Sequence, residues 1–243
     1  MASAHWRLIT TLGAPPSLNL GLDEALLNIG GAPTLRLYTW QPDTLSLGYF
    51  QRFADVHGTD TAGHVVRRIT GGGAIHHAGE LTFSLTTGLD DALYRGKVAD
   101  SYARVHRAVI AALAAAGIQG ELRGDSTLAS DRTGTGMCFH HSTDLDIVWG
   151  GRKGVGSAQR RSGGRVLHHG SIKLGTTALE GDIATTGASG GPEQPEDFIP
   201  LLLAAFAEHL GLETEPTAPT QRERELASLL EPGYSDPAFL HRR

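Results

Sequence analysis

A chain of 243 residues suits one large domain and is long enough to bury a substantial core. Its formal net charge of -5 argues against nucleic acid as the main partner, because phosphate binding needs a basic face, and no stretch reaches the roughly 18 apolar residues of a membrane span. One cysteine allows no intramolecular disulfide, and the N-terminus MASAHWRLITT has no apolar signal core, so a soluble protein of the reducing cytoplasm is expected.

In chain order, His5–Thr10 alternates and predicts a strand. Ser17 is placed to cap a helix running from Leu18, and Gly30-Gly31 would stop it. Thr34–Trp40 alternates cleanly and Thr44–Gly48 follows a Pro-Asp turn, so both read as strands of an α+β fold. Val65–Thr70 and Leu81–Thr87 are strand-like and flank the loop GGGAIHHAGE. Between Val98 and Ile118, residues Tyr102, Val105, Val109, Leu113 and Ala116 recur at helical spacing, and Gly117 stops the helix. After an irregular stretch from Gly124 to Gly136, the segments Leu145–Trp149, Arg152–Arg161 and Arg165–Leu174 read as three antiparallel strands turned by Gly150-Gly151 and Gly163-Gly164. Thr185–Asp197 (residues 185–197) reads as a loop or linker leading to helices at Phe198–Gly211 and Gln221–Leu230.

Chemistry concentrates in three places. Cys138 stands in a loop between Gly136 and His140-His141, ahead of the strand that leads to Lys153. A lone cysteine is most often a small buried hydrophobe, and a strand lysine is most often solvated. Brought together, the two suit acyl transfer: the thiol carries the acyl group as a thioester, and the cation holds thiolate and carbonyl. If Lys153 faces inward, Arg152 alternates outward. The loop Gly71-Gly72-Gly73 is followed by a strand, whereas a phosphate-binding glycine loop leads into a helix N-terminus. Its neighbours Arg67, Arg68, His76, His77 and Glu80 carry more polar chemistry than a plain turn needs. The histidine pairs 76/77, 140/141 and 168/169 match no zinc spacing, and adjacent strand residues point to opposite faces. No metal is expected, and most of these histidines are expected at the surface or in hydrogen bonds.

Two blocks, RRITGGGAIHHAGELTFSL (Arg67 to Leu85) and RKGVGSAQRRSGGRVLHHGSI (Arg152 to Ile172), resemble the signature segments of the lipoate-protein ligase and octanoyltransferase branch of the biotin/lipoate protein ligase superfamily. LNLGLDEALL (Leu18 to Leu27) and YSDPAFLHRR (Tyr234 to Arg243) add to the likeness, while about residues 50 to 64 and 175 to 232 carry no motif. The resemblance implies a mixed, mostly antiparallel β-sheet flanked by helices, with residues 1–243 forming a single catalytic domain. Cys138, just ahead of Asp144–Val148, is similar in position to the acyl-accepting nucleophile of the Gram-positive octanoyl-carrier-protein:protein N-octanoyltransferases. Glu80–Ser84 also resembles that branch. Gly73 stands where that branch usually has Arg, and Ala78 replaces its acidic residue after the motif histidine.

By this resemblance, Cys138 takes an octanoyl group from acyl carrier protein, Lys153 stabilises the thiolate and oxyanion and helps deprotonate the incoming amine, and a lysine of a lipoyl domain, such as the glycine-cleavage H protein, accepts the group. Arg68, Gly71, Gly72, Gly73, His77, Gly156, Ser157, Ala158, His169 and Gly170 are the expected substrate-binding residues. Arg52, Arg67, Arg68, Arg160 and Arg161 are candidates to dock acidic carriers. No cofactor is expected for transfer, and a monomer is expected. ATP and Mg enter only under the alternative of an ATP-dependent lipoate-protein ligase. An amidotransferase acting between lipoyl domains and a non-catalytic acyl-binding protein are further alternatives. An adenylating ligase needs no protein nucleophile, so Cys138 favours transfer.

Overall fold

Residues 4–242 are described in a computed structural model. Met1–Ser3 and Arg243, the last residue of the closing motif, lie outside the described residues.

Alternation along the strands sorts the molecule into layers. Strand β1 (Ala4–Ala14) is followed by helix α1 (Pro16–Ile29), β2 (Thr34–Trp40), β3 (Thr44–Leu47), β4 (His64–Arg67), β5 (Ile75–His77) and β6 (Glu80–Gly88). Helix α2 (Val98–Ala115) leads to β7 (Glu121–Leu122), β8 (Ile147–Trp149), β9 (Arg152–Ser162) and β10 (Arg165–Lys173). The chain closes with α3 (Pro195–Leu210), β11 (Leu212–Pro216), α4 (Gln221–Tyr234) and α5 (Pro237–Leu240). The large sheet runs β11-β1-β2-β6-β10-β9-β8-β7. Its β11-β1 and β1-β2 pairs are parallel, and all its other pairs are antiparallel. A smaller sheet, β4-β3-β5, lies beside it.

On β6, Leu81, Phe83 and Leu85 point to one side, where they join Val105, Val109 and Leu113 of α2 and Phe198, Leu202 and Phe206 of α3 in the main core. Each such side chain contributes about 1.5–3 kcal/mol by leaving water. The alternate residues Glu80, Thr82 and Ser84 face the other way into a buried polar layer, and Ser84 reaches Asp23 of α1. Beyond that layer α1 packs on α4 through Leu22, Ala25, Leu26 and Ala227.

The hairpin turns follow the glycines: Gly150 and Gly151 have φ of 57° and 72°, and Gly163 and Gly164 of 56° and 74°. Two consecutive left-handed residues match the strand twist in a two-residue turn, and glycine adopts them without steric cost. Other expectations change. Helix α1 starts at Pro16, with Pro15 in the cap position and no side-chain cap, so Ser17 lies inside its first turn. The strand expected through Thr70 stops at Arg67, because the Arg68 guanidinium donates to the carbonyls of Ser46, Gly71 and Gly73 and curls the following backbone into the glycine loop. Within that loop Ile75–His77 forms β5 on β3, and β11 joins β1 in a stretch with no strand pattern. Thr185 and Thr186 are buried, and α3 begins at Pro195. One detail of β9 matters for the site: it pairs with β8 only as far as Val155. From Gly156 onward its outer edge borders a cleft.

Candidate active site

Cys138 opens a short 3-10 turn, Cys138–His140, locked to the glycine loop. Its N–H donates to the Ala74 carbonyl at 2.7 Å, and the Ala74 N–H donates to Gly136 at 2.9 Å. Gly73 backs the turn directly: a Cβ there would stand 2.8 Å from the Cys138 nitrogen and 2.9 Å from its Cα, closer than atoms approach. The loop is supported from below by Arg68, which is buried, has no carboxylate partner among the described residues and donates to Gly71, Gly73, Ser46 and Thr70. Burial draws its pKa down to about 10.

Lys153 reaches the turn from β9. Its Nζ lies 3.4 Å from Cys138 Sγ, 3.0 Å from the Cys138 carbonyl and 2.8 Å from Asp146 Oδ2. Burial disfavours its charge, but the neighbouring Cys138 sulfur and the Asp146 carboxylate outweigh burial and hold its pKa above the ordinary lysine value. Lys153 is therefore a fixed ammonium beside the sulfur. It suits stabilising a thiolate or an oxyanion. Gly156 makes the approach possible, since a Cβ there would meet the Lys153 side chain at 3.0 Å and stand 3.5 Å from Sγ. Arg152 turns outward to pair with Asp182, as alternation requires.

A narrow cavity opens from the thiol. Of the residues expected at the site, Arg68, Gly71, Gly72, His77, Cys138, Gly156, Ser157, Ala158, His169 and Gly170 line it, together with Ile75, Thr82 and Ser171. Gly73 is not on this wall; it stands behind the nucleophile turn and lines a neighbouring cleft with Arg132 and Gly136. A second cleft shares Gly71, Gly72, Ser157 and Ala158 with the first and continues past Tyr102, His106, Leu145, Asp146 and Gln159.

The cavity histidines are buried and tied down. His77 hydrogen-bonds Glu80 through Nδ1 at 2.6 Å and Ser46 through Nε2 at 2.7 Å, with the Trp40 ring stacked 3.9 Å from its own. Burial pulls its pKa down to about 4, so it is a neutral donor to Glu80. Burial would raise the Glu80 pKa, but His77 and Lys173 outweigh it and hold the carboxyl well below its ordinary range. His169 hydrogen-bonds Thr70 at 2.7 Å and faces Asp23 at 3.7 Å. Of the six paired histidines, expected at the surface or in hydrogen bonds, only His141 is exposed; the other five are buried and each is hydrogen-bonded. The docking role for Arg67 and Arg68 is corrected. Both are buried on backbone carbonyls, whereas Arg52 is exposed and Arg160 and Arg161 are half-buried.

Sequence reading missed Asp146 and His106. Each carried a signal. Asp146 interrupts the apolar run into β8, and His106 sits on the buried stripe of α2, one turn after Tyr102. Among the described residues no cluster of three His, Cys, Asp or Glu side chains could hold a metal, and no helix is long and apolar enough to cross a membrane.

Comparison with known proteins adds to this geometry. Residues 15–182 match the family described as the lipoyl protein ligase A/B catalytic domain. Curated relatives include octanoyltransferase LipM of Moorella thermoacetica, 40% identical over 190 residues that span 75% of this chain and 68% of the relative. Octanoyltransferase LipM of Kyrpidia tusciae is 31% identical over 273 residues, spanning 98% of this chain and 99% of its own. Among solved structures, protein Ta0514 of T. acidophilum aligns with a TM-score of 0.80 at 24% identity, over 98% of this chain and 99% of that one, which is a likeness of fold.

Proposed function

Because the chain belongs to the lipoyl protein ligase A/B catalytic domain family, we propose that it is an octanoyltransferase of lipoate biosynthesis that works through an acyl-cysteine. The observation that carries the reading is the contact of a cysteine sulfur with a buried ammonium at the mouth of a narrow cavity. The kinship to LipM octanoyltransferases agrees with it.

In the first half-reaction the Cys138 thiolate attacks the thioester carbonyl of octanoyl-acyl carrier protein. Lys153 Nζ, already placed on the sulfur, stabilises the negative charge as it moves to the carbonyl oxygen. The carrier leaves as a thiol and the octanoyl group remains on Sγ, its chain in the cavity beside Ile75, Ala158 and the bare backbone of Gly156 and Gly170. A Cβ at Gly170 would strike the Phe83 ring at 2.5 Å, so glycine there lets the main core pack against β10 behind the cavity. In the second half-reaction a lysine of a lipoyl-domain acceptor, with the glycine-cleavage H protein as the expected one, forms the amide and frees the thiolate. The scheme uses no cofactor, and the reducing cytoplasm that suits a free nucleophilic thiol is its expected compartment.

The test is intact-mass analysis after mixing with octanoyl-carrier protein. Wild type should gain one octanoyl group and Cys138→Ala none, with folding retained in the variant. An ATP-dependent ligase would instead modify the acceptor from ATP and free octanoate, with no enzyme adduct and no loss in Cys138→Ala; that result would sink transfer.

A further inference from the structure

An acyl-cysteine needs something to end its chain, and the octanoyl-transfer reading names no residue for that task. Resting on that reading, we propose that Thr82 of β6 is the stop that sets the length of the acyl chain.

The registers of the large sheet lay the residues facing the polar layer out in rows that cross the strands. One row runs from Gly156 of β9 through Ser171 of β10 and Thr82 of β6 to Tyr38 of β2. On one side the next row is Ala158, His169, Ser84 and Arg36, and on the other Lys173 stands opposite Glu80. Both flanking rows carry ions. Asp23 pairs with Arg36, accepts from Ser84 and faces His169, while Lys173 holds Glu80 and Glu180. An apolar chain cannot replace the partners of these buried charges, so it is confined to the row between them. The thiol marks one end of that row, since Sγ lies 3.5 Å from where a Cβ of Gly156 would stand. Gly156, Ser171 and Thr82 all line the cavity. Behind Thr82 the buried Tyr38 is fixed by its bond to Asp23 at 2.9 Å and by the Arg36 guanidinium 4.4 Å from its ring.

The dimensions match eight carbons. Neighbouring strands lie about 4.8 Å apart, so the row offers about 10 Å from β9 to β6. An extended chain with carbon–carbon bonds of about 1.5 Å advances about 1.3 Å per bond, which puts the octanoyl methyl about 9 Å from its carbonyl. Octanoyl therefore ends against Thr82, and decanoyl would run about 2.5 Å further, into Thr82 and the Tyr38 ring. The stop is rigid. Thr82 Oγ1 donates to Glu80 at 2.7 Å and accepts from Trp40 Nε1 at 2.8 Å. Ser171 Oγ and His77 Nδ1 donate to the same carboxylate. Glu80 thus takes the protons of the far end. A carboxylate at the chain end would find none left there and would face the Glu80 charge, so the far end selects a methyl.

The test is a competition for Cys138. Wild type, Thr82→Ser and Thr82→Met are loaded from an equimolar mixture of hexanoyl-, octanoyl- and decanoyl-carrier protein, and the early adducts are weighed by intact mass. Wild type should favour octanoyl over hexanoyl about 15-fold, two buried methylenes at about fourfold each. It should favour octanoyl over decanoyl by at least tenfold, and in a separate pairing it should refuse octanedioyl-carrier protein. Thr82→Ser removes one methyl and keeps the hydroxyl that Glu80 and Trp40 hold, and it should raise the decanoyl-to-octanoyl ratio at least fivefold. Thr82→Met lengthens the stop and should move the preference to hexanoyl. Wild-type ratios in either folded variant, or equal loading of decanoyl or octanedioyl and octanoyl by wild type, would overturn the stop. If Thr82→Met fails to fold, Thr82→Ser carries the test. Absence of every adduct on wild type would overturn the octanoyl-transfer reading instead.

Discussion

The nucleophile at Cys138 depends on a side chain that is missing. Gly73 touches the Cys138 backbone, so the usual arginine of the transferase branch cannot stand here unless the turn moves. Gly73→Ala is expected to lose most of its acyl-enzyme formation, by at least 100-fold on the intact-mass time course, because the added methyl must displace the residue carrying the thiol. Overpacking of this kind also costs about 1–3 kcal/mol, to be read from urea unfolding. An alanine variant that loads octanoate at the wild-type rate would show that the turn yields freely. At this scale the sequence identifies Cys138 and Lys153 by residue type and position. It is silent about Asp146 as partner of Lys153, because that pairing depends on a register shift between β8 and β9.

Among the elements, the end of β4 ties the C-terminus to the site. Arg67 donates to the carbonyls of Phe239, Leu240, Gly48 and Gln51, and the Gln51 side chain donates to Gly136 beside the nucleophile turn. Arg67→Met removes the donors from these carbonyls, at about 1–3 kcal/mol for each left buried without a partner. A melting temperature lowered by several degrees is expected, with limited proteolysis cutting after Tyr234 in the variant and not in wild type. Unchanged melting and cleavage would show that α5 is held by other contacts. The hairpins and α2 were legible because glycine pairs and a helical repeat are local signals. Strands β5 and β11 were not, since each is three to five residues long and exists through a partner far along the chain.

Across the whole molecule, buried histidines tie stability to pH. His77 is held at about 4 and His106 and His168 below the ordinary histidine value, all by burial first. The unfolded chain, with histidines near pH 6.5, therefore binds protons that the folded protein refuses. Stability should be complete above about pH 6.5 and fall as pH drops toward 4, with the Glu80 carboxylate adding to the loss below its ordinary range of about 4.3. Melting curves from pH 8 to 4 should show this fall, and His77→Gln should flatten part of it; a flat profile in wild type would contradict the buried neutral state. The overall layout was readable from alternation and turns, whereas this polar layer was not, because its histidines, hydroxyls and carboxylates come from strands and helices far apart in sequence. The pairing of β1 with β11 has a last consequence, for synthesis. Strand β1 is synthesised long before its outer neighbour at Leu212–Pro216, so that edge stays unpaired in the interval and is a template for wrong pairing during synthesis.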